Sequence, residues 1–115
     1  MLLAHGRIGV IGHRGDSRAY LLRRQNAYQL TVDHELIELV SEAASHSSDL
    51  DVFRVDLKPE DTVVLCTDGA EEFTRNEALV RVAGDLAPAI LASRIVSAAQ
   101  RETPGVDATA VVVRV

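Results

Sequence analysis

Within the stretch 62–67, the run Val63-Val64-Leu65-Cys66 is apolar with no polar alternation, and that pattern limits what this chain can fold into. A strand that alternates needs cover on one face only, whereas a strand apolar on both faces must lie inside a sheet with packed layers above and below. The closing run 109–115 is almost continuously β-branched and is expected to form another interior strand. At 115 residues the chain fits one domain, 1–115, with one core. A domain of this size buries only about two-thirds of the surface its unfolded chain exposes, so each missing strand matters to stability. Aromatic residues make up 3% and Trp is absent, so Val, Leu, Ile and Ala must fill the core and stacking platforms for bases are not expected.

The remaining pattern is α+β. Apolar residues at Ile8, Val10, Ala19, Leu21, Tyr28 and Leu30 are separated by turn residues at 12–17 and 23–26, which predicts a β-meander over 8–30. Thr31 or Asp33 can cap a helix with apolar positions Leu36, Ile37, Leu39, Val40 and Ala44. A loop follows at 45–49, where Ser, His and Asp compete with backbone hydrogen bonding. Strands are predicted over 52–55 and 62–67, the second after the turn Lys58-Pro59-Glu60-Asp61. Helices are predicted over 76–83 and 87–102, the latter stopped by Pro104-Gly105. No repeat or linker interrupts the chain.

The net charge of -5 and the lack of a Lys/Arg-rich block argue against nucleic acid or an anionic membrane as partner and suit divalent cations better. The single cysteine, Cys66, sits in the apolar run, so it is expected as a buried core thiol, with no disulfide and no Cys-based zinc site. That usage fits a reducing cytoplasm. Gly6-Arg7 breaks the apolar opening Met1-Leu2-Leu3-Ala4 before a signal-peptide core or membrane span forms. His5, His13, His34 and His46 show no metal-binding spacing, and no dinucleotide, Walker or serine-hydrolase motif occurs.

Three aspartates sit where strands meet turns: Asp16, Asp68 and Asp107. Gly69 can adopt a positive φ that folds the backbone away and leaves the Asp68 carboxylate at the mouth of its strand. If the strands around Asp68 and Asp107 are neighbours, the two carboxylates meet at one sheet end as an all-oxygen site for Mg²⁺ or Mn²⁺. The residues by themselves also allow all three to be solvated turn residues.

The strings Gly15-Asp16-Ser17-Arg18-Ala19-Tyr20-Leu21-Leu22 and Gln29-Leu30-Thr31-Val32-Asp33-His34 closely resemble a region of bacterial metal-dependent protein phosphatases, the PPM or type 2C class. Lys58-Pro59-Glu60-Asp61-Thr62-Val63-Val64-Leu65-Cys66-Thr67-Asp68-Gly69 and Asp107-Ala108-Thr109-Ala110-Val111-Val112-Val113 are similar to its later motifs, in the same order. The resemblance implies the carboxy-terminal half of an α/β/β/α sandwich with mainly antiparallel sheets and helices outside. It implies a metal site at Asp68, with Gly69 beside it, and Asp107, with Asp16 as a candidate for an additional metal. In that family two Mn²⁺ or Mg²⁺ ions activate a bridging water that attacks phosphoserine or phosphothreonine in line.

The resemblance begins in mid-domain. The amino-terminal phosphate-binding Arg and the Asp that bridges both metals find no counterpart, Ala108 stands where the family has Asn, and the segment between Ala44 and Val52 is shorter than the family's flap. Three functions are therefore expected to compete. They are a regulatory or binding pseudophosphatase inactive alone, a Ser/Thr phosphatase active when completed by the amino-terminal half, and a structural oligomerisation module. The absent layer should leave apolar sheet surface uncovered, which suits self-association or a covering partner, besides a phosphoprotein.

Overall fold

A computed structural model describes residues 1–33, 50–67 and 71–115. Most of the helix expected after Thr31, the loop 45–49, Asp68 and Gly69 lie outside the described residues. The elements are β1 (Leu2–His5), β2 (Ile8–His13), β3 (Arg18–Arg23), β4 (Asn26–Gln29), β5 (Asp51–Asp56), β6 (Thr62–Cys66), α1 (Glu71–Arg75), α2 (Glu77–Ala83), α3 (Pro88–Glu102) and β7 (Ala110–Arg114). All pairings are antiparallel, in a smaller sheet β1-β2-β5 and a larger sheet β4-β3-β6-β7. The α+β expectation holds.

The β-meander does not form. β2 is flanked by β1 and β5, while β3 pairs with β4 and β6, so the 14–17 turn carries the chain between sheets rather than closing a hairpin. Side-chain patterning explains the split. β2 alternates, burying Gly9, Ile11 and His13, whereas Ala19, Tyr20, Leu21 and Leu22 of β3 are all buried. A strand apolar on both faces belongs between layers, and one with a single apolar face belongs at the outside.

β6 is central, as its uniform hydrophobicity predicts. On one face Val63 joins Leu21 and Leu57 beneath the smaller sheet. On the other, Val64 and Cys66 join Tyr20 and Leu22 against Phe73, Leu79, Leu91 and Ile95 of the helices. β7, in contrast, is not interior: it is the margin of the larger sheet, with Val111 and Val113 48% and 37% exposed. Its register places these two valines on the face of Val63 and Leu65, toward the smaller sheet, where the described residues leave them partly exposed. β-branching gave the right element, but edge and centre share that composition.

α3 starts with Pro88 in its first turn and buries Leu91, Ile95, Ala98 and Ala99 along one stripe. Asn76 caps α2, its side-chain oxygen accepting from Leu79 N–H at 3.1 Å. β1 and α1 were not expected from the sequence, being short elements of four and five residues. The outer face of the smaller sheet bears Leu3, Ile8 and Val52, at 60%, 40% and 62% exposure. No helix among the described residues is long and apolar enough to cross a membrane.

Candidate functional site

Register brings the candidate carboxylate segments to one end of the larger sheet. Arg18, Cys66 and Ala110 stand abreast across β3, β6 and β7. Beyond them Thr67 N–H donates to Thr109 C=O, and Thr109 N–H donates to the Thr67 hydroxyl oxygen, each at 3.1 Å. This latch extends the β6–β7 pairing past its last ladder residue. Asp107 is exposed two positions before Thr109, at the end of a turn through Gly105 (φ +83°). Asp16 is exposed in the turn leading into β3, where Gly15 (φ +93°) takes a conformation strained for any side chain. Asp68 and Gly69, which follow Thr67 directly in sequence, lie outside the described residues. Thus the segments of Asp16 and Asp107 share one rim with the end of β6, and β6 and β7 are neighbours, the condition on which a meeting of Asp68 and Asp107 depends.

Among the described residues no three His, Cys, Asp or Glu side chains gather where they could hold a metal ion. The donor chemistry at the rim is nonetheless that of hard cations, since exposed carboxylate oxygens suit Mg²⁺ or Mn²⁺ and not soft ions. Just inside the rim, between the sheets, is a cavity of about 190 Å³ lined by Met1, Ile11, Ala19, Leu65, Cys66 and Val111, among others. Its lining includes the Arg18 cation and no carboxylate, so it lacks the anionic oxygens that hold a hard cation, which the turns at the rim do carry.

Two polar arrangements hold this end together. His13 is buried and its Nε2 lies 2.7 Å from Ser17 C=O, closing the turn that carries Asp16. Arg18 donates to both carboxylate oxygens of Asp33, from Nη2 at 2.7 Å and from Nε at 3.0 and 3.1 Å. That bidentate pairing raises the guanidinium pKa, with burial opposing it. Sequence reasoning read Asp33 only as a helix cap and gave Arg18 no role. The opposite charges flanking the β3–β4 hairpin were the available signal.

Cys66 is a poor nucleophile. Burial pushes its thiol up to about 11, with the Arg18 charge opposing. Because the folded value exceeds the ordinary 9.0, the unfolded chain loses this proton first as pH rises. The contribution of the neutral thiol to stability is therefore complete below about pH 9 and is lost as pH climbs toward 11. Labelling by a disulfide reagent at pH 7.5 is expected to run at least about 100-fold slower than in denaturant. Equal rates would show that Cys66 is accessible and the rim open.

No protein-family model and no curated protein sequence matches the chain. Solved structures do. The chain is similar to PppA, a key regulatory component of T6SS in Pseudomonas aeruginosa, at TM-score 0.78 and 24% identity, covering 98% of this chain and 54% of that one. It is similar to the catalytic domain of the serine threonine protein phosphatase PstP in complex with two manganese ions, at TM-score 0.74 and 26% identity, covering 96% and 54%. The serine/threonine phosphatase Stp1 from Staphylococcus aureus matches at TM-score 0.75 and 20% identity, covering 99% and 54%. With two antiparallel sheets packed face to face and helices outside, this chain has the fold of the type 2C, metal-dependent Ser/Thr protein phosphatases and spans about half the length of the structures it matches.

Proposed function

We propose that this chain supplies Asp16, Asp68 and Asp107 to a metal site of the phosphoserine/phosphothreonine phosphatase type. By itself it acts as a regulatory or binding pseudophosphatase rather than a catalyst. The observation that supports this reading is the rim itself, where the turn of Asp16, the end of β6 and the approach to Asp107 lie abreast on one sheet. Divalent Mn²⁺ or Mg²⁺, when bound, supplies Lewis acidity and lowers the pKa of water toward neutrality. The chain's own part is to present carboxylate oxygens and to hold them still. The Thr67–Thr109 latch sets the separation of the two strand ends, and the His13–Ser17 contact fixes the turn of Asp16.

Asp16 and Asp107 are both exposed, and Ala108 gives Asp107 no neighbouring side-chain amide to orient it. A few exposed carboxylates bind a hydrated ion only weakly, with Kd on the order of 10⁻⁴ to 10⁻³ M. Turnover of a phosphate ester needs further donors and a group that grips the phosphoryl oxygens. The exposed outer face of the smaller sheet, with Leu3, Ile8 and Val52, favours a second reading in which another polypeptide segment completes the layer and the site.

The test is hydrolysis of p-nitrophenyl phosphate with Mn²⁺, alongside calorimetric Mn²⁺ titration. Weak Mn²⁺ binding that disappears in Asp107→Ala, with negligible turnover, is the expected result. Robust metal-dependent hydrolysis by the chain alone, abolished by Asp68→Ala, would overturn its inactivity. Mn²⁺ binding that ignores all three aspartates would overturn the metal site and leave an oligomerisation module as the better account.

A further inference from the structure

The other end of the larger sheet carries a different chemistry. Leu22, Thr62 and Arg114 stand abreast there, four residue steps, roughly 13 Å, along β6 from Cys66. A cleft of about 560 Å³ opens at this end, and Arg23, Arg24, Lys58, Arg81 and Arg114 reach it. Its carboxylates are Glu60, Asp61 and Asp85, so five cations face three anions on a chain whose net charge is -5. The charge here is opposite in sign to that of the molecule.

The cations are not equally committed. Arg23 is neutralised by Asp61, with contacts of 2.9 and 2.6 Å, and Arg81 leans on Glu77 at 3.3 Å. Arg114 is different, because its two acceptors, the Leu86 carbonyl and the Thr62 hydroxyl, are uncharged. A guanidinium offers five N–H donors, so Arg114 is held in place with charge and donors to spare. Arg24 and Lys58 form no side-chain ion pair among the described residues and stand exposed at the cleft mouth.

Backbone geometry adds an independent observation. Arg24, Gln25 and Glu60 are the three non-glycine residues with positive φ among the described residues, at 50°, 66° and 72°, and all three line this cleft. A two-residue hairpin with both positions left-handed is the natural place for Asn-Gly. Putting Arg-Gln there costs stability, and strain of this kind gathers at binding sites. Here it delivers Arg24 to the cleft.

We infer that this cleft binds a phosphoryl dianion, free or carried as a monoester, with Arg114 as the fixed anchor and Arg24 and Lys58 as the further cations that meet it. No aromatic side chain lines the cleft, so a nucleobase would find nothing to stack on. The volume holds a phosphoryl group together with its carrier. The site lies away from the carboxylate rim and does not depend on the metal reading.

The experiment is a heteronuclear NMR titration of the full chain with inorganic phosphate and, separately, with O-phosphoserine at constant ionic strength. Saturable shifts confined to 23–26, 58–61, 84–86 and 114 are expected, with none from equal chloride. Tighter binding of O-phosphoserine identifies a phosphorylated side chain as the source, and equal affinity identifies free phosphate. Arg114→Gln should weaken binding at least tenfold. Since Arg114 also holds the Leu86 carbonyl, two gentler variants carry the same test: Lys58→Ala, and Arg24→Asn with Gln25→Gly. Each should bind at least threefold more weakly, and the double variant should melt at a higher temperature than the parent. Shifts matched by chloride, or wild-type affinity in both gentler variants, would overturn the proposal.

Discussion

Asp61→Ala is expected to lower unfolding free energy by about 3 kcal/mol, the low end of the range for breaking a buried ion pair. The carboxylate is 2% exposed and receives Arg23 in two-pronged fashion, with Lys58 N–H donating to it at 2.7 Å. Truncation leaves a guanidinium and an amide short of their acceptor. The value lies at the low end because the Arg23 side chain is 26% exposed and can recover some water. Urea denaturation measures the loss, and a double-mutant cycle with Arg23→Ala apportions it. The pair also sets a pH dependence. The Arg23 guanidinium foremost, helped by the Lys58 backbone amide, holds the Asp61 carboxyl below its ordinary 3.8. A depressed carboxyl stabilises the fold above the unfolded value, and that stability drains away as pH falls through the folded one. The parent should therefore lose stability below about pH 4 more steeply than Asp61→Ala does. A loss under 1 kcal/mol, or identical acid profiles, would refute this account.

Phe73→Ala should have the largest effect of any single substitution in the helical layer, about 3 to 5 kcal/mol. Phe73 is fully buried, and its ring meets Tyr20 edge to face, with centroids 5.8 Å apart at 72°. With only two Phe and two Tyr in the chain, nothing of similar volume can move in, so the cavity persists. α1 has five residues, too few to hold together without tertiary packing, so this ring supplies much of what docks it. For a chain near 100 residues the melting temperature should drop by roughly 4 °C or more per kcal/mol lost. Phe73→Leu, which keeps most of the volume, should recover more than half of the loss. A full loss in Phe73→Leu would mean that the edge-to-face contact matters more than filling the space.

The sequence revealed most where covering is symmetric. Val63-Val64-Leu65-Cys66 announced a strand inside a stack of layers, and it is one, because burial on both faces leaves no room for a polar alternate. Helix α3 was legible through apolar residues at helical spacing, Leu91 and Ile95 among them, and through its stop at Pro104-Gly105. The allocation of strands to sheets was not legible in the same way. A turn at 12–17 can close a hairpin or pass between layers, and only the contrast between alternating β2 and fully buried β3 separates these outcomes. Similarly, Val111-Val112-Val113 has the composition of a central strand yet lies at a margin, since composition reports affinity for a sheet and not the number of neighbours. Of the candidate site, the turn of Asp16 and the approach to Asp107 were placed by motif and register, whereas Arg18–Asp33 and Arg23–Asp61 are pairings between residues 15 and 38 positions apart. For Arg18–Asp33 the hairpin between the two charges was a cue, whereas nothing along the chain marked Arg23 and Asp61, at the other end of the sheet, as partners.

The unequal width of the two sheets has a consequence of its own. Among the described residues four strands lie under three, and the last of the four is like a shelf, with the partly exposed Val111 and Val113 on its upper surface and an edge of backbone as its lip. Side-chain recognition alone cannot use both at once. An extended backbone bearing apolar residues at every second position is the shape that would satisfy the lip and the surface together.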